Sequence, residues 1–171
     1  PPSTRTEADY RLAVRNRVRG FKRSKILTAS TPSVKGLSYV EGRALDGDQR
    51  RRKVPCPRCG HAQELRTGNG KDRGGIRFEK LNNGKLNAQK AFETAWYECE
   101  LCGGRIEESE RFRMCNAGWW VPLGCHVVDG ELTGEPIRKG PHASFMELHA
   151  LNNLLDGISI NSEAKEYVEA L

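Results

Sequence analysis

The sequence predicts an α/β fragment joined to a cysteine ribbon of small β-strands and then to a short α/β connector. Three observations support this fold class. An amphipathic, arginine-rich pattern at residues 7–18 precedes a short apolar, β-leaning run at residues 25–29. Two Cys-x-x-Cys motifs lie within residues 51–107, and mixed helix and strand patterns fill residues 108–171. We therefore expect three segments, of which the first is residues 1–50.

The first segment is predicted to hold two helices and one strand. Residues 7–18 form an amphipathic helix with a basic outer face, and residues 37–45 form a short second helix. The run at 25–29 has the length of a buried strand. Ser30 and Thr31 follow it directly, so their hydroxyl groups lie at the carboxyl end of this strand, which is where open α/β sheets bind ligands.

The cysteines carry the strongest local signal in the chain. Cys56 and Cys59 form one Cys-x-x-Cys motif, Cys99 and Cys102 form another, and glycine follows each motif. Two residues between sulfurs allow one tight turn to direct both thiolates at a single tetrahedral ion. We predict a closed, structural Zn²⁺ site with these four ligands. Two disulfides in a secreted protein are the alternative.

The segments around and after the cysteines are predicted from turn and helix signals. The glycine-rich insert, residues 66–92, is expected to be a mobile hairpin around a strand at 76–80. Residues 108–117 are expected to be helical and residues 129–141 to be a loop. Ser162 is expected to cap a terminal helix.

No complete active site is visible in the sequence. It contains no phosphate-binding Gly-x-x-x-x-Gly-Lys-Ser/Thr motif and no Gly-x-Ser-x-Gly motif. Cys115 and Cys125 do not share the motif spacing, and we interpret them as packing residues. His61 lies two residues after Cys59 and could compete as a ligand, but the second motif makes it unnecessary. The other three histidines have no ligand spacing with one another, so we interpret all four as surface or core residues.

The charge distribution is uneven and permits a nucleic-acid partner. Residues 1–53 hold 14 Lys/Arg against 5 Asp/Glu, whereas residues 99–171 hold 6 against 12. Clustered cations attract phosphate backbones, although a solvated surface is the alternative. The candidate DNA contacts are Lys35, Arg50, Arg51, Arg52 and Lys53.

Seven short stretches of the sequence, two of which contain the cysteine motifs, follow one another in a recognisable order. These stretches are Lys25-Ile-Leu-Thr-Ala-Ser-Thr-Pro-Ser-Val-Lys-Gly36, Gly47-Asp-Gln-Arg50, Val54-Pro-Cys-Pro-Arg-Cys-Gly-His61, Tyr97-Glu-Cys-Glu-Leu-Cys-Gly103, Ile106-Glu-Glu108, Ala117-Gly-Trp119 and His142-Ala-Ser-Phe145. In this order they resemble the lambda-like (GpA-type) phage terminase large subunit over about residues 22–155.

This resemblance implies an ATP-driven motor that packages double-stranded viral DNA and cuts concatemers, using ATP and Mg²⁺. The first segment is then the edge of a P-loop ATPase-type sheet, and the connector leads towards an RNase H-like nuclease domain. The implied partners are DNA, the terminase small subunit and the portal or procapsid, with a homo-oligomer as the working motor. The implied location is the host cytoplasm, without a membrane.

Carried over residue by residue, the resemblance assigns Ser30 and Thr31 to the ATPase coupling motif. A hydroxyl at this place senses the γ-phosphate or positions the attacking water. Both Walker motifs and the nuclease carboxylates lie outside this chain, so we expect this chain alone to be inactive.

Two other functions are compatible with the same residues. One is a non-enzymatic zinc-ribbon module that binds nucleic acid. The other is a structural adaptor ribbon that docks a protein through its acidic C-terminal third.

Overall fold

The computed structural model describes residues 10–29, 38–68, 70–138, 142–145 and 147–171. The chain forms two compact units, Pro1–Gly42 and Arg43–Leu171. The predicted coupling residues Ser30 and Thr31, and the candidate DNA contact Lys35, lie outside the described residues.

The described elements are short helices and short strands. In chain order they are α1 (Tyr10–Val18), α2 (Tyr39–Asp46), β1 (Arg51–Pro55), β2 (Ala62–Gln63), β3 (Gly75–Arg77), α3 (Ala88–Thr94), β4 (Trp96–Glu98), β5 (Arg105–Ile106), α4 (Glu108–Asn116), β6 (Trp119–Val121), β7 (His126–Val128), β8 (Glu131–Thr133), a 3-10 turn (Ala150–Asn152) and α5 (Ile160–Glu169). None of the helices in the described part of the chain has the length and apolar character that a bilayer crossing requires.

Two three-stranded antiparallel sheets dominate the second unit. The first has the order β2-β1-β6, and the second has the order β3-β4-β5. The first Cys-x-x-Cys motif is the turn of the β1–β2 hairpin, where Val54 pairs with Gln63. The second motif is the turn of the β4–β5 hairpin, where Tyr97 pairs with Ile106. Because β1 also pairs with β6, the predicted ribbon and connector share one sheet.

The core of the second unit lies between these sheets and the C-terminal helix. Val54, Tyr97, Ile106, Leu151 and Ile160 are at most 1% exposed. They come from both sheets, the 3-10 turn and α5, so a single apolar cluster joins residues that are more than 100 positions apart.

The insert between the cysteine motifs differs from the expected mobile hairpin. It contains a strand near the predicted place, β3. It also contains α3, a helix that the glycine-rich sequence does not predict. The side chain of Asn87 caps α3 by accepting the Lys90 amide at 2.8 Å. Ala91 is fully buried, and the Asn161 side chain of α5 donates to the Phe92 carbonyl at 2.6 Å. Packing on a distant helix therefore orders the insert.

The apolar run at 25–29 is not a buried strand in this structure. It belongs to no helix or strand, and Leu27 is 87% exposed. A strand needs a hydrogen-bonded neighbour, and the described residues of the first unit contribute only helices. A P-loop ATPase-type sheet is therefore not seen among the described residues.

Two C-terminal predictions are corrected by local hydrogen bonding. The expected loop at 129–141 contains part of the β7–β8 hairpin, in which Val127 pairs with Leu132. Ser159, rather than Ser162, is the N-cap of α5. The Ser159 hydroxyl accepts the Ser162 amide at 3.0 Å, and the Ser162 hydroxyl accepts the Ser159 amide at 2.8 Å, so the two serines cap reciprocally.

Two of the stretches that resemble the terminase family, residues 47–50 and 142–145, are far apart in sequence but meet in the second unit. The Asp48 carboxylate accepts the Ser144 amide at 3.1 Å, and the Gln49 amide donates to the Ser144 hydroxyl at 2.8 Å. The Arg50 amide donates to the Ser144 carbonyl at 2.7 Å. Gly47 lies so close to Ser144 that an added Cβ would overlap its side chain. These residues therefore form a structural clasp.

His149 holds the 3-10 turn in place. Its Nδ1 accepts the Leu151 amide at 3.2 Å, so the neutral ring carries its proton on Nε2, which contacts the Thr67 hydroxyl at 2.9 Å. Burial lowers the pKa of His149 below 6.5. Protonation of Nδ1 would remove the acceptor that Leu151 uses.

We expect the free energy of unfolding to fall as the pH drops below about 6.5. At such pH values His149 binds a proton in the unfolded chain, whereas burial disfavours its protonation in the folded chain. The slope contributed by one such group is at most about 1.4 kcal/mol per pH unit. Denaturant titrations at pH 7.5 and pH 5.5 measure it. His149→Gln retains a donor for Thr67 but does not titrate, so a pH dependence equal to that of the parent protein would contradict this role.

Candidate metal centre

The two cysteine turns have matching backbone geometry. In the first, the Cys56 carbonyl accepts the Gly60 amide at 2.9 Å, and in the second, the Cys99 carbonyl accepts the Gly103 amide at 3.0 Å. Gly60 and Gly103 have φ values of 73° and 68°, which side chains disfavour. The glycine after each motif is therefore required by the turn.

The four sulfur atoms converge on one point between the two hairpins. All four lie within 4.8 Å of one another, with Sγ–Sγ distances of 3.9 Å for Cys56–Cys102 and 3.8 Å for Cys59–Cys99. Four thiolates placed about 2.3 Å from a tetrahedral Zn²⁺ are about 3.8 Å apart, so the cluster fits that ion. A disulfide needs about 2.05 Å, and these cysteines are free thiols in the structure.

Each turn contributes one buried and one exposed sulfur ligand. Burial raises the pKa of Cys99 to about 12 and also raises the pKa of Cys56. At the exposed side, the Gly104 amide donates to Cys102 at 3.4 Å and lowers the pKa of that thiol to about 7. Four thiolates in such a site repel one another, and a divalent cation supplies the compensating charge.

Polar contacts around the sulfurs fix the two turns to the rest of the unit. Arg58, inside the first motif, makes a two-pronged contact with Glu110 of α4 at 2.6 and 2.9 Å. The fully buried Gln63 accepts the Glu100 amide of the second motif at 3.1 Å. The four-cysteine cluster is therefore joined to α4 and to both sheets.

Most of the candidate DNA contacts in β1 and before it are engaged within the second unit. Arg50 pairs with Asp48 at 2.8 Å, and Arg51 contacts Glu64 at 3.3 Å and Glu147 at 3.4 Å. Arg52 donates to the carbonyls of Gly118 and Cys115 at 2.8 and 2.5 Å and lies 5.3 Å from the centre of the Trp120 ring. Lys53 lines an open cavity with Glu64, Arg66 and Glu147.

The sequence patterns missed one buried charge. Arg111 of α4 is 6% exposed and pairs with Glu108 at 2.7 Å. It also donates to the carbonyls of Leu151, Asn153 and Ile158 at 3.0, 2.7 and 2.5 Å. The spacing Glu108–Arg111 is a visible signal for the ion pair, but the three carbonyl acceptors lie about 40 residues downstream and leave no pattern.

Comparison with known proteins places the chain in a family. Residues 1–120 match the family model described as phage terminase large subunit gpA, ATPase domain. The terminase large subunit of Enterobacteria phage P21 is 30% identical over 130 residues, which cover 72% of this chain and 19% of that protein. The chain thus spans about a fifth of the length of this curated relative. No solved structure matches.

The family match includes the four cysteines and the Ser30–Thr31 stretch, so it agrees with the resemblance seen in the sequence. The chain belongs to the gpA family of phage terminase large subunits, and its first 120 residues correspond to the ATPase domain of that family.

Proposed function

We propose that this chain is a segment of a terminase large subunit that translocates viral DNA with ATP and Mg²⁺ and cuts concatemeric DNA. The observation that carries the proposal is the match of residues 1–120 to the gpA ATPase domain. In this proposal, residues 1–50 are the C-terminal edge of the ATPase domain proper, residues 51–107 are a zinc ribbon that lies within the matched region, and residues 108–171 lead towards a nuclease domain. The chain alone does not hydrolyse ATP.

Thr31 is the proposed coupling residue, and Ser30 is the second choice. In the sequence both hydroxyls follow the apolar run at 25–29. A hydroxyl that contacts the γ-phosphate, or orients the water that attacks it, links the nucleotide state to the parts that grip DNA.

The zinc ribbon is proposed as a structural device rather than a catalytic one. Thiolates of Cys56, Cys59, Cys99 and Cys102 would complete a tetrahedral Zn²⁺ site and leave no coordination position for substrate. Bound Zn²⁺ would supply a cross-link between the β1–β2 and β4–β5 hairpins. Contacts such as Arg58–Glu110 extend this cross-link to α4.

The proposed partners are double-stranded viral DNA, the terminase small subunit and the portal or procapsid, and the working motor is a homo-oligomer in the host cytoplasm. Contacts of Lys35, Arg50, Arg51, Arg52 and Lys53 with phosphates belong to this proposal. Arg51 retains 41% exposure of its side chain beside its carboxylate partners, which supports a contact at that position.

The test uses a longer terminase polypeptide that contains this chain. We expect Thr31→Ala to reduce ATP-driven DNA packaging at least tenfold while DNA affinity stays within about twofold, because coupling is lost and the grip is kept. Packaging, ATP hydrolysis and duplex binding are measured on the same preparation.

Thr28→Ala is the matched control, because Thr28 is an exposed hydroxyl in the same run outside the coupling stretch. Equal loss of packaging and DNA binding in Thr31→Ala would indicate a folding defect and contradict a coupling role. A longer polypeptide that neither hydrolyses ATP nor packages DNA would overturn the motor proposal itself.

A further inference from the structure

The net charge of the chain resides entirely in its first unit. Pro1–Gly42 contains nine Lys/Arg and three Asp/Glu, whereas Arg43–Leu171 contains nineteen of each. The first unit therefore carries the whole formal charge of +6 on a quarter of the residues. Such an imbalance produces a local positive potential that attracts anions.

Most of this charge is concentrated in residues 10–25, which we name the basic segment. It contains seven Lys/Arg, and no Asp or Glu occurs anywhere between residues 10 and 40. Five of these cations have described side chains, and all five are exposed: Arg17, Arg19, Lys22, Arg23 and Lys25. An ordinary solvated surface intersperses both signs of charge, and this segment does not.

Among the residues of the second unit that the structure describes, no comparable run of available cations occurs. The arginines of β1 bind carboxylates and carbonyls of their own unit, as Arg51 and Arg52 show. The insert behaves in the same way, because Arg77 pairs with Glu98 and Arg73 donates to the Leu101 carbonyl. The zinc ribbon is therefore built with its charges largely compensated.

We propose that the basic segment is the principal surface by which this chain contacts the phosphate backbone of duplex DNA. This inference rests on the proposed DNA-packaging function and moves the main contact from the ribbon to the first unit. Exposed Arg and Lys neutralise phosphates and release counterions, which gives binding without sequence preference. A surface of this type suits a protein that must hold DNA of any sequence.

The experiment measures binding of the chain to a fluorescent 20-base-pair duplex by anisotropy at several salt concentrations. The test variant replaces Arg17, Arg19, Lys22, Arg23 and Lys25 with Gln. Each neutralised phosphate contributes about 0.9 to the slope of log K against log salt. We expect the variant to lose roughly tenfold or more in affinity at 0.1 M salt, and its slope to become shallower by about two to four.

A second variant neutralises only Lys22, Arg23 and Lys25, which lie outside α1, so that its effect cannot come from a lost helix. We expect a proportionately smaller change in slope. The matched control is the triple variant Lys80→Gln, Lys85→Gln and Arg113→Gln, which removes three exposed cations from the second unit. Its slope should stay within about one of the parent value.

Retention of the parent slope by the five-site variant would overturn this inference while leaving the packaging proposal intact. Failure of the parent chain to bind duplex would overturn it as well. Equal competition by polyglutamate and by unlabelled duplex would indicate an acidic protein partner instead. The packaging proposal is judged separately, by ATP-driven translocation in the longer polypeptide.

Discussion

Chelation of Zn²⁺ from the four-cysteine cluster is expected to unfold the second unit. The apparent binding energy of a structural Zn²⁺ is about 10–16 kcal/mol, which matches or exceeds the roughly 5–15 kcal/mol that stabilises a whole domain. The β2 and β5 strands are only two residues long, so each hairpin contributes few ladder hydrogen bonds and gains much of its stability from the cross-link. We therefore expect a large fall in thermal stability rather than a local opening.

The measurement combines elemental analysis with thermal unfolding followed by circular dichroism. We expect about one zinc per chain before chelation and loss of the unfolding transition afterwards. Cys59→Ser and Cys102→Ser test the ligands directly, because both side chains are exposed and their replacement leaves no core cavity.

Cys125→Ser is the matched control, since Cys125 is half-buried and lies outside the cluster. It should keep both the metal and the transition. A chain that purifies without metal, or that melts normally in chelator, would contradict the structural role of the site.

The sequence predicts the cysteine cluster well because the signal is local. Two residues between sulfurs and a following glycine fix each turn, and the positive φ of Gly60 and Gly103 shows why the glycine is needed. The sequence also predicts α4, because the residues that indicate this helix all lie within 108–117 and need no distant partner. What the sequence leaves open is how the two turns approach one another across the 39 intervening residues.

The incorrect predictions depend on contacts between distant residues. The glycine-rich sequence of the insert predicts a mobile hairpin. In the structure, Ala91 is buried because α3 packs on α5, which begins 69 residues after Ala91. The apolar sequence at 25–29 predicts a buried strand. Burial of Leu27 needs a neighbouring sheet, which the described residues of the first unit do not provide. In both cases tertiary contacts decide the outcome.

The pattern of charged residues in the sequence also fails to reveal contacts with distant parts of the chain. The adjacent Glu107 and Glu108 look like surface carboxylates in the sequence. In the structure, Glu107 caps α4, and Glu108 accepts both Arg111 and the Ile160 amide, the latter at 2.7 Å. A half-exposed carboxylate in a polar stretch can thus tie together distant parts of the chain, and only its partners reveal that role.

Arg111→Met is expected to destabilise the second unit by about 3–5 kcal/mol, the second largest effect that we predict for this chain. The substitution preserves much of the side-chain volume but removes donors from three backbone carbonyls and leaves Glu108 without its cation. Each orphaned buried acceptor costs about 1–3 kcal/mol, and partial hydration reduces the sum. Urea unfolding of the metal-bound chain measures the change.

One further variant tests how much of this stabilisation comes from the planar shape of the Arg111 guanidinium group rather than from its positive charge, and another serves as a control. Arg111→Lys keeps the charge but cannot reach all four acceptors at once, so we expect an intermediate loss. Arg113→Met, at an exposed position of the same helix, should change the free energy of unfolding by less than about 0.5 kcal/mol. If Arg111→Met were as mild as Arg113→Met, the carbonyl contacts would not hold the segment 151–158 against α4, and the burial of Arg111 would need another explanation.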